Sequence, residues 1–112
     1  MPAATLRAAL ADLDDAALHQ RRIAELVYLA NVLTAGAAVD GRTFRRGEAV
    51  TAAVTACGLG LAHLVATTGE DAAAIVRRDG ADLLFRIGWH QLSAGGRDPV
   101  RALLGGAPRD RP

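Results

Sequence analysis

The feature that most constrains this chain is the stretch from Glu48 to Thr68, EAVTAAVTACGLGLAHLVATT, which after Glu48 carries no formal charge for twenty residues. It reads as one long helix. At 100° per residue Val50, Ala53, Val54, Cys57, Leu61, Leu64 and Val65 fall on one broad apolar side. The opposite side, with Ala52, Thr55, Ala56, Leu59, His63 and Ala66, is slimmer and mildly polar. A helix that is apolar nearly all round must be covered, either by other helices at the centre of a bundle or by lipid. Ala52, Ala56 and Gly60 recur every fourth position, a row small enough to let another helix approach closely.

The stretch is long enough to cross a bilayer, which takes about 20 apolar residues. Four threonines, two glycines and a histidine within it weaken that reading. The preceding apolar run, Leu26 to Val39, has only 14 residues, the length of a buried core helix. The sequence therefore favours a bundle in water and disfavours the membrane. A chain of 112 residues makes one domain with a small core. Half of it is apolar but only 4% is aromatic, so that core is built from Ala, Leu and Val, which suits closely crossing helices better than a β-sandwich. A net charge of +1 gives no field to steer toward nucleic acid. The single cysteine excludes an internal disulfide and suits a reducing compartment. The N-terminal MPAATLRAALADLDDA lacks the charged and apolar regions of a secretory signal, so a cytoplasmic location is expected.

Taken in order, residues 3–11 suit a short first helix with Leu6 and Leu10 one turn apart. Asp12, Asp14 and Asp15 break the pattern and suit the start of the next helix, where negative charge is favoured. That helix runs from about Asp15 to Ala35 and stops at Gly36. Leu18, Ile23, Leu26, Leu29, Ala30 and Leu33 share one side, Tyr28, Asn31 and Val32 the other, and Arg21, Arg22 and Glu25 are expected in solvent. The segment Val39 to Gly47 is a polar connection with a turn at Asp40-Gly41 and Phe44 as its anchor. The helices on either side of it should form a long antiparallel pair. Thr68 to Asp71 resembles a capping box opening a helix over Gly69 to Arg78, closed by Asp79-Gly80. A last helix, about Ala81 to Ser93, carries an Asp82–Arg86 pair and should dock on the 48–68 helix. From residue 94 the chain is rich in Gly, Pro and Arg and reads as a flexible tail.

Chemical motifs are sparse. Cys57 and His63 lie six residues apart and point about 120° away from each other, so they cannot pair within one helix. Cys57 among aliphatic neighbours suits a buried inert thiol. His19, His63 and His90 lack the spacing of a helical metal pair, so no metal site, catalytic set or cofactor is assigned. Of three arginine doublets, Arg45-Arg46 follows Arg42 at a helix start. Arg42, Arg45 and Arg46 are therefore the candidate anion patch, against the ordinary reading of solvated charge. Trp89 and Tyr28 are the candidate contacts for a partner, Trp89 only if the fold leaves it exposed.

The runs ELVYLANVLTAG (Glu25–Gly36), GRTFRRGEA (Gly41–Ala49), AVTACGLGL (Ala53–Leu61) and LFRIGWHQL (Leu84–Leu92) carry a resemblance over residues 23–93. They are similar to the C-terminal part of an uncharacterised bacterial family of the kind found in delta-proteobacteria and their relatives. That family pattern places a capping hydroxyl and a proline after the loop phenylalanine, where this chain has Arg45 and Arg46. The resemblance rests on packing motifs and implies a detached helical module with no assigned reaction.

The sequence thus predicts an all-α single-domain bundle of four or five helices over residues 1–93, around a central helix at about 48–68, with a tail over 94–112. The expected function is a non-enzymatic interaction or regulatory module that meets a protein partner or a second copy, with nucleic acid disfavoured. Anion or phosphate binding through 42–46 is the alternative, and a small enzyme using His63 or His90 a lesser one.

Overall fold

The computed structural model describes residues 2–36 and 43–94. They form five helices and, among the described residues, no strand: α1 (Pro2–Ala11), α2 (Ala16–Thr34), α3 (Arg46–Thr68), α4 (Ala72–Arg78) and α5 (Ala81–Ala94). The other four helices all pack against α3, as expected of the central element of an all-α bundle. The turn expected at Asp40-Gly41, and the tail beyond Ala94, lie outside the described residues.

Local chemistry sets the boundaries. Asp15 caps α2, its Oδ1 accepting from the amides of Ala17 (3.0 Å) and Leu18 (3.2 Å). Glu48 in the first turn of α3 accepts the Arg45 amide at 3.1 Å. This is half of a capping box, because a guanidinium has no acceptor to return the bond. Gly69 adopts a positive φ of 74° and closes α3 through a bond from its amide to the Val65 carbonyl. That left-handed turn also corrects the expected start of α4. The helix begins at Ala72, and its cap is Asp71, which accepts from the Ala73 amide at 3.2 Å. The Thr68 hydroxyl instead turns back to the Leu64 carbonyl at 2.7 Å and accepts the Glu70 amide. Phe44 anchors the connection into α3, buried as expected.

The face of α3 that the other helices cover differs from the broad stripe read from the sequence. The fully buried positions are the small ones, Ala49, Ala52, Ala53, Ala56, Cys57, Gly58 and Gly60, together with Leu61. Val50, placed on the apolar side by periodicity, is 46% exposed. The reason is steric. A β-carbon on Gly60 would overlap the Leu84 carbonyl of α5, and one on Gly88 would overlap the Ala56 carbonyl of α3. The two helices therefore meet backbone to backbone, and only the Ala/Gly row of α3 allows it.

A second departure concerns Arg22 and Glu25, expected in solvent. Arg22 is buried. Its Nε donates to the Val76 carbonyl at 2.7 Å and one terminal nitrogen donates to the Arg77 carbonyl at 3.2 Å. These are carbonyls of the last turn of α4, which have no partner inside the helix. The other terminal nitrogen pairs with Glu25 Oε2 at 3.0 Å. Glu25 Oε1 in turn accepts the Ala81 amide, the first of α5, at 2.9 Å. Two residues one turn apart on α2 thus satisfy both sides of the α4–α5 elbow. From α3, the Cys57 thiol donates to the Ala81 carbonyl at 3.3 Å. A seven-residue helix such as α4 is marginal in isolation, so it depends on this grip.

Two outcomes follow for stability. Gly88→Ala, a change that strengthens helix propensity, should lower stability by about 1–3 kcal/mol or more, because the helices must separate. A thermal melt checks it, and an unchanged or raised Tm would contradict the close crossing. Arg22→Ala should cost about 3–5 kcal/mol in urea unfolding, since it leaves two helix-end carbonyls without a donor and takes from Glu25 its charge partner, whereas Arg21→Ala should stay within about 0.5 kcal/mol.

Candidate interaction face

Because α2 turns Arg22, Leu29, Ala30 and Leu33 inward, its outer side carries Gln20, Arg21, Ile23, Ala24, Val27, Tyr28 and Asn31 in solvent. Among the described residues five large apolar side chains are exposed, and three lie on this helix: Ile23 (39%), Val27 (47%) and Tyr28 (68%). Val50 of α3 lines a groove with Ile23, Val27 and Arg46 that holds about 100 Å³. On the other flank of α2 a wider hollow of about 340 Å³ is bordered by Arg21, Ala24, Glu25, Tyr28, Gly80 and Asp82. The ridge between the two hollows is poor in charge: Arg21 is the one exposed charged residue within α2. Water-facing helices ordinarily carry a charged stripe opposite the core. This one does not.

Hydrogen bonds also fix the relative direction of α2 and α3. Arg46, at the start of α3, donates to Asn31 Oδ1 near the end of α2 at 2.8 Å, while Glu25, earlier on α2, and Cys57, later on α3, both bond to Ala81. The two helices run antiparallel, as their connection predicts.

The residues singled out from the sequence are scattered. Arg42 lies outside the described residues. Arg45 and Arg46 are exposed, Arg46 held by Asn31, and Glu48 places a carboxylate on the N-terminal amide that an anion would use. Tyr28 stands on the exposed ridge, but Trp89 is half-buried on the core, stacked on Phe85 with ring centroids 5.9 Å apart. His63 is half-buried and His90 exposed. Among the described residues no three His, Cys, Asp or Glu side chains come together as metal ligands would. Periodicity assigned Ile23 and Val50 to the core, and so missed them as surface residues. The signal that could have found the face was the missing charge on the outer side of α2 after Arg21.

Cys57 is fully buried, and loss of hydration, reinforced by the negative charges of Asp82 and Glu25, pushes its thiol up to about 12. On the surface, Arg78 bridges Glu70 (2.6 Å) and Asp79 (2.9 Å) on either side of α4 and holds the Glu70 carboxyl below its usual range. Asp82 and Arg86 pair at 3.1 Å as their spacing predicts.

No protein-family model matches the chain, and neither curated proteins nor solved structures give a match.

The thiol supplies a pH prediction. The folded value, about 12, lies above the ordinary 9.0, so the unfolded chain releases this proton first. The contribution of Cys57 is complete below pH 9.0 and is lost as pH rises toward about 12. Native protein should resist thiol reagents at pH 8 and react only when unfolded, and Cys57→Ala should flatten the alkaline loss of stability.

Proposed function

We propose that this chain is a non-enzymatic helical interaction or regulatory module, and that its contact surface is the outer side of α2 with the adjoining start of α3. The observation that carries this reading is the charge-poor ridge of Ile23, Ala24, Val27 and Tyr28, extended by Val50 across the groove. Exposed apolar groups gathered in one place cost free energy in water and mark contact surfaces, whereas singly scattered ones do not. Several of the ionisable side chains among the described residues are already engaged within the fold. Arg22, Glu25, Arg78, Glu70, Asp79, Asp82 and Arg86 are engaged with one another or with helix ends, and the only thiol is held protonated inside.

The partner surface that fits is another apolar helix. Two hollows flanking one ridge match the ridges and grooves by which helices pack, with Tyr28 as the aromatic anchor. Val27→Asp should leave stability within about 0.5 kcal/mol, since its side chain sits at the surface. It should reduce at least tenfold whatever chain, another protein or a second copy, is retained by immobilised full-length protein. Asp82→Asn, beside the ridge, should change retention little. Equal retention by Val27→Asp and the unaltered chain would remove the reading.

A further inference from the structure

The ends of the α2 ridge carry opposite charge. At its N-terminal end Asp12, Asp14 and Asp15 are all exposed. At its C-terminal end the exposed Arg45 and Arg46 stand at the start of α3, with Arg46 bonded to Asn31 of α2. Asp15 and Asn31 are sixteen residues apart, about 24 Å along the helix. Between them the ridge is apolar or neutral apart from Arg21, and its midpoint falls at Ile23 and Ala24, where a small side chain lies in the open. This surface is acid at one end, basic at the other and small at the centre. It complements itself when turned through 180°.

Resting on the interaction reading above, we infer that the occupant of the ridge is a second copy of this chain, with the two α2 helices crossing antiparallel about a two-fold axis at Ile23 and Ala24. A two-fold contact uses one patch on both partners, so each residue must meet its own symmetry mate or a complementary one. The antiparallel arrangement brings Asp14 and Asp15 of one copy beside Arg45 and Arg46 of the other, twice over. A parallel arrangement would set acid against acid and base against base. At the axis the Ala24 side chains allow close approach, and Val27 and Tyr28 of each copy cover the flanks of the other α2. The acid and base ends set orientation and partner choice, while the apolar middle supplies the burial.

Sedimentation equilibrium of the full chain, from micromolar to near-millimolar protein, reads the association. A reversible dimer is expected, weakening as salt is raised. Ala24→Arg puts two arginines against each other on the axis and should weaken association about 100-fold or more, with circular dichroism unchanged because the site is exposed. Asp14→Arg and Arg46→Glu should each weaken it roughly fivefold, and the two together in one chain should restore it to within about twofold. Singles that weaken without rescue in the double would overturn the antiparallel geometry. A photoreactive phenylalanine in place of Tyr28 separates this inference from the reading beneath it. A cross-link of twice the chain mass supports the second copy. A cross-link to a different protein overturns the second copy and keeps the interaction face. A chain that is monomeric throughout and cross-links to nothing overturns both.

Discussion

The approach of α3 to α5 is the contact on which the remaining geometry depends. Gly60 lies against the Leu84 carbonyl and Gly88 against the Ala56 carbonyl, so the two backbones touch with no side chain between them. A crossing this close leaves no room for the large side chains that usually fill a core, and it explains how a chain with 4% aromatic residues can still bury a continuous apolar cluster. Packing density is maintained by nearness of backbones in place of bulk. Once α5 is seated, the wider sides of α3 remain for α1 and α2, whose Leu6, Leu10, Leu29 and Leu33 supply the volume that alanine and glycine lack.

Polar chemistry serves the same end. The α4–α5 elbow has orphan carbonyls on one side and an orphan amide on the other, and where it packs against α2 they must find partners. Arg22 and Glu25 meet that need from a single helix and neutralise each other while doing so. A buried ion pair contributes little net stability when compared with a well-packed apolar pair. Its effect here is positional: it holds the elbow to α2 at one register, and so fixes which side of α2 is left outside. The face proposed for contact is therefore the reverse side of a structural clamp. Residues 22, 25 and 29 look inward to the elbow and core, and residues 24, 27 and 28 between them look outward.

That division explains why the proposed face combines an apolar ridge with so little charge. The charges of α2 are drawn inward to the elbow, except for Arg21, and the balancing groups lie beyond its ends. A helix arranged in this way is well held on one side and poorly hydrated on the other. Association at the proposed face would relieve the second condition without disturbing the first.

Much of the architecture was legible in the sequence. The uncharged run after Glu48 required a covered helix, the Ala52-Ala56-Gly60 row announced a close neighbour, and Asp15, Gly36 and Asp79 marked helix ends through local backbone chemistry. These signals are short-range, since they depend on residues within one or two turns. What the tertiary structure alone decided was direction. Periodicity placed Val50 and Ile23 inside because it ranks faces by hydrophobicity. On α3 the fold chose the face that allowed the nearest backbone approach and left Val50 at the surface; on α2 the Arg22–Glu25 clamp turned the other side inward and left Ile23 outside. Likewise Arg22 looked like solvated charge until α4, more than fifty residues away in sequence, presented its carbonyls. Whether a side chain is core, clamp or contact is set by what comes to lie opposite it, and that is a property of the packed molecule, not of the segment that carries it.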